Sequence, residues 1–166
     1  MVTEELLDRA LAQALADDPV FARWFLSRTR FASLEARCVE VRSDNPWSRV
    51  KLRVPAGPEG VLQELIRDAE TDVLAVFVTP GGQRIALHVE NKLAGGAFTP
   101  HQPESYQARL AQWKGRAKLG MYEEATSVLV APRAFRDANR VGAELFEAFV
   151  SHEELAEHLP AFAQVV

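Results

Sequence analysis

The sequence predicts an α/β fold in a single domain. Apolar residues at helical spacing dominate both ends of the chain, alternating or unbroken apolar segments fill its middle, and no repeat or low-complexity tract interrupts it. Its 166 residues suffice for one domain with a substantial core. We expect N-terminal helices in residues 1–31, a sheet core in 32–131 and C-terminal helices in 132–166.

The N-terminal part of the chain begins with two predicted helices. Thr3 caps a segment whose apolar residues recur every three or four positions, and Asp18 caps a second segment with Pro19 in its first turn. An alternating strand, a turn-rich stretch with a shorter strand, and another helix follow. These elements cover residues 3–18 and 17–31 (helices), 36–43 and 50–54 (strands) and 58–69 (helix).

Two strong apolar strands lie in the middle of the chain. The turn at 80–82, Pro-Gly-Gly, separates them, so they should form an antiparallel hairpin. A helix with Tyr106 and Trp113 along one side comes next, then an unbroken apolar strand that should be central in the sheet, then two acidic helices. Ser151 and Glu154 form a capping box for the last helix. These elements cover residues 71–79 and 83–91 (strands), 102–118 (helix), 125–132 (strand), and 140–150 and 151–162 (helices).

The composition excludes several classes of protein. Hydrophobic residues make up 48% and charged residues 25%, as in globular proteins, and no apolar run is long enough to span a membrane. The acidic, amphipathic N-terminus does not resemble a signal peptide, so a cytoplasmic protein is expected. The single Cys38 allows neither an internal disulfide nor a cysteine-based zinc site. A nucleotide triphosphatase and a serine hydrolase are disfavoured because their motifs are absent.

Charge is unevenly distributed along the chain. The net charge is −4, yet residues 101–140 carry seven basic and four acidic side chains, whereas residues 141–166 carry five glutamates and no base. The basic segment can bind phosphates even in an acidic protein, although such stripes are often merely solvated. Arg109 and Lys114 are the residues that we expect to contact a polyanion.

Three charged residues are brought together by the predicted hairpin. Glu90 and Lys92 share one face of the second strand, and Asp72 stands at the start of the first strand, next to the end of the second. Two carboxylates meeting there repel each other unless a cation lies between them, and hard oxygen ligands suit Mg²⁺ or Mn²⁺. A strand-end salt bridge is the structural alternative.

These residues carry a resemblance to a known family. "ETD", an apolar strand, a glycine-containing turn, a second strand and "ENK" resemble the signature of the PD-(D/E)XK nuclease superfamily. "ENKLAGGAFTPHQPESYQARL" resembles a bacterial branch with a Gln-x-x-x-Tyr helix, here Gln102 and Tyr106. "SVLVAP" and "FEAFVSHEEL" resemble the fourth core strand and a helix start of the same branch, so the likeness extends over residues 66–160.

The resemblance implies a restriction-endonuclease-like core, a central mixed sheet of about four strands flanked by helices. It also implies that Asp72, Glu90 and the main-chain carbonyl of Asn91 bind Mg²⁺ or Mn²⁺ and that Lys92 is the catalytic lysine. Gln102 then supports the site or contacts substrate.

Further roles follow from the same resemblance. Tyr106 also supports the site or contacts substrate, and Glu70 is an additional acid for the metal or its surroundings. Ser105 occupies a position where an arginine often stands, and Arg109, one turn later, can replace it. The family's additional helix acid has three candidates, Glu5, Glu35 and Glu64.

The function implied by the resemblance is a metal-dependent phosphodiesterase, a DNA endonuclease. The alternative is a non-catalytic nucleic-acid-binding or assembly module with the same fold. The expected partner is nucleic acid, DNA in preference to RNA, with no membrane and with a homodimer as an open possibility.

The histidines and tryptophans are assigned structural positions. His88, within a strand, should hydrogen-bond to a neighbouring residue, while His152 and His158 should lie on the surface. The three tryptophans, Trp24, Trp47 and Trp113, are large apolar residues for which core or interface packing is expected.

Overall fold

A five-stranded mixed sheet and a separate two-stranded sheet organise the fold of the computed structural model, which describes residues 1–165. The strands are β1 (Arg37–Arg42), β2 (Trp47–Pro55), β3 (Leu62–Glu70), β4 (Val73–Val78), β5 (Arg84–Asn91), β6 (Glu124–Ala131) and β7 (Ala148–Ser151). The helices are α1 (Glu4–Asp17), α2 (Pro19–Ser27), α3 (Gln102–Gln112), α4 (Arg133–Ala138), α5 (Arg140–Ala143) and α6 (His152–Ala156), with 3-10 turns at Ala117–Leu119 and Phe162–Gln164. None of the helices in these residues is long and apolar enough to cross a membrane.

The central sheet has the strand order β1-β4-β5-β6-β7. β4 is antiparallel to β1 and to β5, so the predicted hairpin is confirmed. β6 is parallel to both β5 and β7 and therefore lies inside the sheet, as predicted. The sheet has five strands rather than about four, since β7 extends it.

The two faces of the central sheet are covered by different elements. Alternate residues of β4 and β5, such as Phe77 and Leu87, pack against α1 and α2, with Leu11 and Phe25 among the buried partners. On the other face, Leu74 and neighbouring side chains pack with residues of β2 and with the end of α3. The candidate site residues lie at the end of β5, where these two layers and the β2–β3 hairpin meet.

The predicted helix caps are confirmed. Thr3 accepts a hydrogen bond from the N–H of Leu6, and Asp18 accepts from Val20 and Phe21 with Pro19 in the first turn of α2. The capping box of Ser151 and Glu154 is present at the start of α6.

The prediction of a helix at residues 58–69 is wrong. This segment forms β3, which pairs antiparallel with β2 over nine positions, from Trp47 opposite Glu70 to Pro55 opposite Leu62. Its apolar spacing also fits a helix, but β2 requires a partner for its main-chain groups, and pairing satisfies both strands. The pairing of β3 with β2 therefore overrides the helical spacing of the local sequence.

The predicted helix boundaries in the C-terminal part of the chain also need correction. Residues 140–150 form only the short α5 before the chain enters β7, whose pairing satisfies the otherwise open edge of β6. The segment after residue 131 is therefore not wholly helical, because it contains β7.

The helix predicted to reach residue 118 is also shorter than expected. It ends at Gln112, and Gly115 then adopts a positive φ of 71°.

Gly120 is expected to be the most sensitive glycine in the connection to β6. It has a φ of 84°, and an added Cβ would lie 2.5 Å from Cγ2 of Val76. Gly115 has a similar φ of 71° with no atom within 4 Å of such a Cβ. We expect Gly115→Ala to lower the free energy of unfolding by about 1 kcal/mol and Gly120→Ala by about 1–3 kcal/mol more. Equal losses in urea denaturation would show that the contact with Val76 relaxes without strain.

Candidate active site

The candidate site is a cavity of about 440 Å³ between α3, the end of β5 and the β2–β3 hairpin. It brings together most of the predicted site residues: Glu70, Asp72, Glu90, Gln102 and Arg109 are all in its wall. Lys92 reaches it through an ion pair with Glu90. Tyr106 and Asn91 are completely buried behind the wall.

The hairpin register places the two predicted metal acids side by side. Val73 is opposite Val89, and continuing this antiparallel register by one residue puts Asp72 opposite Glu90 on the same face. Burial, reinforced by the charge of Glu90, raises the pKa of Asp72 to about 9. The main-chain N–H of Asn91 donates to Oδ2 of Asp72 at 2.9 Å and opposes that shift only in part. The hydrogen-bond donor of Asp72 is therefore a neutral main-chain group, which does not fully offset the cost of ionising this acid.

Glu90 is held by two donors that converge on one oxygen. Nζ of Lys92 lies 2.8 Å from Oε1 of Glu90, and their side chains are only 10% and 2% exposed. Nε2 of Gln102 donates to the same oxygen at 2.6 Å. Burial opposes the charge of Lys92, but the attraction of Glu90, with those of Glu4 and Asp72, outweighs it and raises the pKa of Lys92. The lysine is therefore a cation at neutral pH.

Tyr106, on α3, bridges the residue before β4 and the end of β5. Its hydroxyl donates to the carbonyl of Val89 at 3.2 Å and accepts from the N–H of Asp72 at 3.3 Å. The side chain is fully buried, and burial together with the charges of Glu90 and Asp72 raises the pKa of Tyr106 well above its usual value. Tyr106 therefore supports the site and does not reach a substrate.

Arg109 does not have the surface position expected for a phosphate contact. It is 1% exposed, and its guanidinium lies 3.7 Å from the centroid of the Tyr106 ring. It donates to the carbonyl and hydroxyl of Ser105, to Oγ1 of Thr71 and to the carbonyl of Glu70. Most of its N–H groups are thus used inside the protein, so Arg109 is not at the exposed position that a polyanion contact was expected to need.

Two acids of α1 approach the site, and the sequence did not single them out. Asp8 is 7% exposed, and burial raises its pKa to about 7. Glu4 accepts a hydrogen bond from the N–H of Leu93 at 3.2 Å. The earlier candidates for a helix acid lie elsewhere: Glu5 is exposed and paired with Arg9, Glu35 is in the loop before β1, and Glu64 is on exposed β3. The sequence does contain an indication that Asp8 is buried, since Asp8 lies one turn before Leu11 in the apolar stripe of α1.

The side chain of Asn91 connects this acid to the C-terminal part of the chain. Nδ2 of Asn91 donates to Asp8 at 3.0 Å, and Oδ1 accepts from Nε2 of His152 at 2.9 Å. His152 is fully buried rather than exposed as predicted, and burial lowers its pKa to about 4. Neutral His152 thus fixes the orientation of the Asn91 amide.

The remaining aromatic residues divide between core and surface. His88 is buried with Nδ1 3.1 Å from Oγ1 of Thr71, which agrees with its predicted hydrogen bond to a neighbouring residue. Trp113 is buried, as predicted, but Trp47 is 60% exposed at the rim of the cavity. Trp47 therefore does not pack in the core, and of the two predicted positions only that at an interface stays a prediction for it.

The donor set fits a hard divalent cation such as Mg²⁺ or Mn²⁺ better than a softer ion such as Zn²⁺. Within residues 1–165, no three His, Cys, Asp or Glu side chains are grouped closely enough to hold a metal ion. Mg²⁺, however, needs only one or two carboxylates because it retains several waters. Asp72 and Glu90 supply these carboxylates, and exposed Glu70 approaches from the hairpin side of the same cavity. Asp72 holds a proton at neutral pH, and binding of such an ion would displace it.

Comparisons with known proteins identify no relative of this chain: it matches no protein-family model, no curated protein and no solved structure. The chemistry of the site therefore has to be inferred from its own residues. Two carboxylates and an ammonium group beside an open cavity can bind a cation and stabilise an anionic group next to it.

The buried position of Arg109 predicts a loss of stability when it is replaced. Arg109→Ala leaves the carbonyl of Glu70 and the hydroxyl of Thr71 without their donor, and we expect a loss of at least about 3 kcal/mol in the free energy of unfolding. Lys114→Ala, at an exposed position just after α3, should change it by less than about 0.5 kcal/mol. If Arg109→Ala instead melted like the parent protein, its buried contacts would be unimportant.

The raised pKa of Asp72 predicts a pH-dependent stability in metal-free protein. Unfolding lowers the Asp72 pKa from about 9 to near 3.8, so the folded state binds more protons between these values and its stability falls as pH rises. The slope attributable to Asp72 is at most about 1.4 kcal/mol per pH unit. The window from pH 7 to 9 is clearest, because it lies above the Asp8 pKa of about 7.

Asp72→Asn should abolish much of this slope and hold or raise the melting temperature at pH 8 in the presence of a chelator. Asp17→Asn, the same exchange at an exposed position of α1, is the control. Parallel pH profiles for the parent protein and Asp72→Asn would contradict the raised pKa of Asp72.

Proposed function

We propose that the protein is a metal-dependent phosphodiesterase, a DNA endonuclease with a restriction-endonuclease-like fold. The observation that carries this proposal is the geometry around Glu90. Its carboxylate lies opposite Asp72 in the hairpin register and is paired with Lys92 at 2.8 Å, in the wall of an open cavity. Ionising a buried acid beside a second acid costs stability with no benefit for folding, and a bound cation would remove that cost.

The arrangement of the central sheet supports the fold part of the proposal. The helix α1 precedes three antiparallel strands, β1, β4 and β5, and α3 then leads to β6, which is parallel to β5. A mixed sheet of about four strands flanked by helices is what the family resemblance implies. The β2–β3 hairpin and β7 are then additions to this core.

Asp72, Glu90 and the main-chain carbonyl of Asn91 are the groups that would hold Mg²⁺ or Mn²⁺. When bound, the ion would supply a Lewis acid for a phosphate oxygen and a lowered pKa for water. Gln102 fixes the position of Glu90 through their 2.6 Å hydrogen bond. Tyr106 holds the strand ends in register through its contacts with Asp72 and Val89.

Lys92 is the residue proposed to act on the reacting phosphate. Its raised pKa keeps it charged at neutral pH, and its ammonium is held next to the carboxylate that would bind the ion. A fixed positive charge there stabilises the negative charge that develops on the phosphate in the transition state. Its low exposure excludes bulk water and strengthens this effect.

A non-catalytic nucleic-acid-binding module is the second candidate. The specific observation in its favour is that Lys92 already has a close partner in Glu90, in a pair that is buried and also bonded to Gln102. A purely structural ion pair would look the same. The two candidates differ in what happens when Lys92 is removed.

Replacing Lys92 by alanine separates the two candidates. In the enzyme, we expect DNA cleavage with Mg²⁺ or Mn²⁺ to fall by at least about 100-fold while metal and DNA still bind, because the ammonium acts mainly in the transition state. Glu90→Ala should weaken Mn²⁺ binding itself, measured by titration calorimetry. In the module, Lys92→Ala should lower the free energy of unfolding by about 3–5 kcal/mol, because it leaves a buried carboxylate unpaired.

The substrates for this experiment should include a plasmid, a blunt duplex, a single strand and RNA. Lys92→Met keeps the apolar stem without the charge and controls for lost packing. The catalytic assignment is refuted if the parent protein cleaves none of these substrates and both Lys92 variants lose stability.

A further inference from the structure

A second cavity adjoins the candidate active site, and Trp47 is in the wall of both. The second cavity has a volume of about 720 Å³ and lies between the start of β2 and the segment that follows α3. Its wall contains one acid, Asp44, and four basic residues: Arg42, Arg49, Arg116 and Lys118. We call it the basic cavity. The active-site cavity, by contrast, has four acids in its wall, Asp68, Glu70, Asp72 and Glu90, and two basic residues, Arg67 and Arg109.

The basic residues differ in how far they are engaged within the protein. Arg42 is paired with Asp44 at 3.0 Å and donates to the carbonyl of Lys118 at 2.6 Å, so it shapes the cavity. Arg49 is 78% exposed, with its only acidic neighbour in the described residues at 3.7 Å. Arg116 donates to the hydroxyl of Ser48, and Lys118 is exposed. Three cations are therefore accessible to an anionic chain.

Trp47 presents an exposed aromatic surface at the boundary between the two cavities. It is the first residue of β2, lies opposite Glu70 in the hairpin, and is 60% exposed. Trp113, in contrast, is completely buried. Aromatic side chains placed along a basic groove stack on nucleic-acid bases, because every base has a flat π-face.

We propose that Trp47 and the basic cavity bind unpaired nucleotides of a single-stranded DNA segment next to the phosphate that enters the active-site cavity. In a duplex, the faces of the bases are covered by their neighbours, so only an unpaired base can stack on Trp47. Arg49, Arg116 and Lys118 neutralise the phosphates of that segment. The inference deepens the proposed function and rests on it for the cleavage step, but the binding step needs no catalysis.

The binding test uses metal-free protein with an oligothymidylate of about 16 nucleotides and with a blunt duplex of equal length. We expect tighter binding of the single strand by the parent protein. Trp47→Ala should weaken that binding by at least about fivefold, and Trp47→Phe should retain part of it. Arg116→Ala with Lys118→Ala should reduce the slope of log affinity against log salt by about 1.4, since each single-strand phosphate contact contributes about 0.7.

The matched control is Arg23→Ala, which removes an exposed arginine from α2 on the opposite face of the sheet and should leave binding unchanged. The melting temperatures of the variants should match that of the parent protein, because the replaced side chains are at the surface. Lys118→Ala alone serves as the second variant if the double variant is unstable. Equal affinity for single strand and duplex, or an unchanged affinity of Trp47→Ala, overturns the inference.

Cleavage assays distinguish this inference from the proposed function. If the single strand binds as expected but no DNA is cleaved with Mg²⁺ or Mn²⁺, the phosphodiesterase is refuted and the binding surface stands. If DNA is cleaved while Trp47→Ala and the basic-cavity variants cleave and bind like the parent protein, the enzyme stands and this inference fails.

Discussion

The repulsion between Asp72 and Glu90 is the constraint on which the surrounding structure depends. The hairpin register places the two acids side by side, and their burial denies them the screening of water. Asp72 receives the main-chain N–H of Asn91, while Glu90 receives the donors of Lys92 and Gln102. These contacts satisfy Glu90 more fully than Asp72, whose pKa remains near 9. Asp72 therefore keeps a proton at neutral pH, and this is the position at which a cation would take the place of that proton.

Buried polar contacts from separate parts of the chain hold this pair in place. Tyr106 bridges the ends of β4 and β5, and Arg109 beneath it ties α3 to the residues before β4. From the other face, Asn91 links the end of β5 to Asp8 of α1 and to His152 of α6. Because these residues lie on helices and strands rather than on mobile loops, they fix the geometry of the acids before any ligand binds.

The sequence was sufficient where the determining interactions are local. The turn at 80–82 sets the hairpin register, and that register alone brings Asp72 and Glu90 together. It was insufficient where pairing is long-range: β3 has a helical spacing, and β7 forms only because β6 offers an edge. Asp8 and Trp47 illustrate the same limit, since the burial of an acid and the exposure of a tryptophan depend on how distant elements pack.

The separation of charge between the two cavities would allow a protein with a net charge of −4 to bind a polyanion, as we propose. In the proposed enzyme, Arg49, Arg116 and Lys118 attract the phosphate chain, whereas the acids of the neighbouring cavity repel it. A cation bound in place of the Asp72 proton would add positive charge to this cavity and so favour the entry of a phosphate. Cation binding and substrate entry are then coupled by electrostatics alone, without a moving loop. In the proposed enzyme, the basic cavity provides affinity for the nucleic acid, and Asp72 and Glu90 bind the cation that the reaction requires. Binding and reaction therefore depend on different residues.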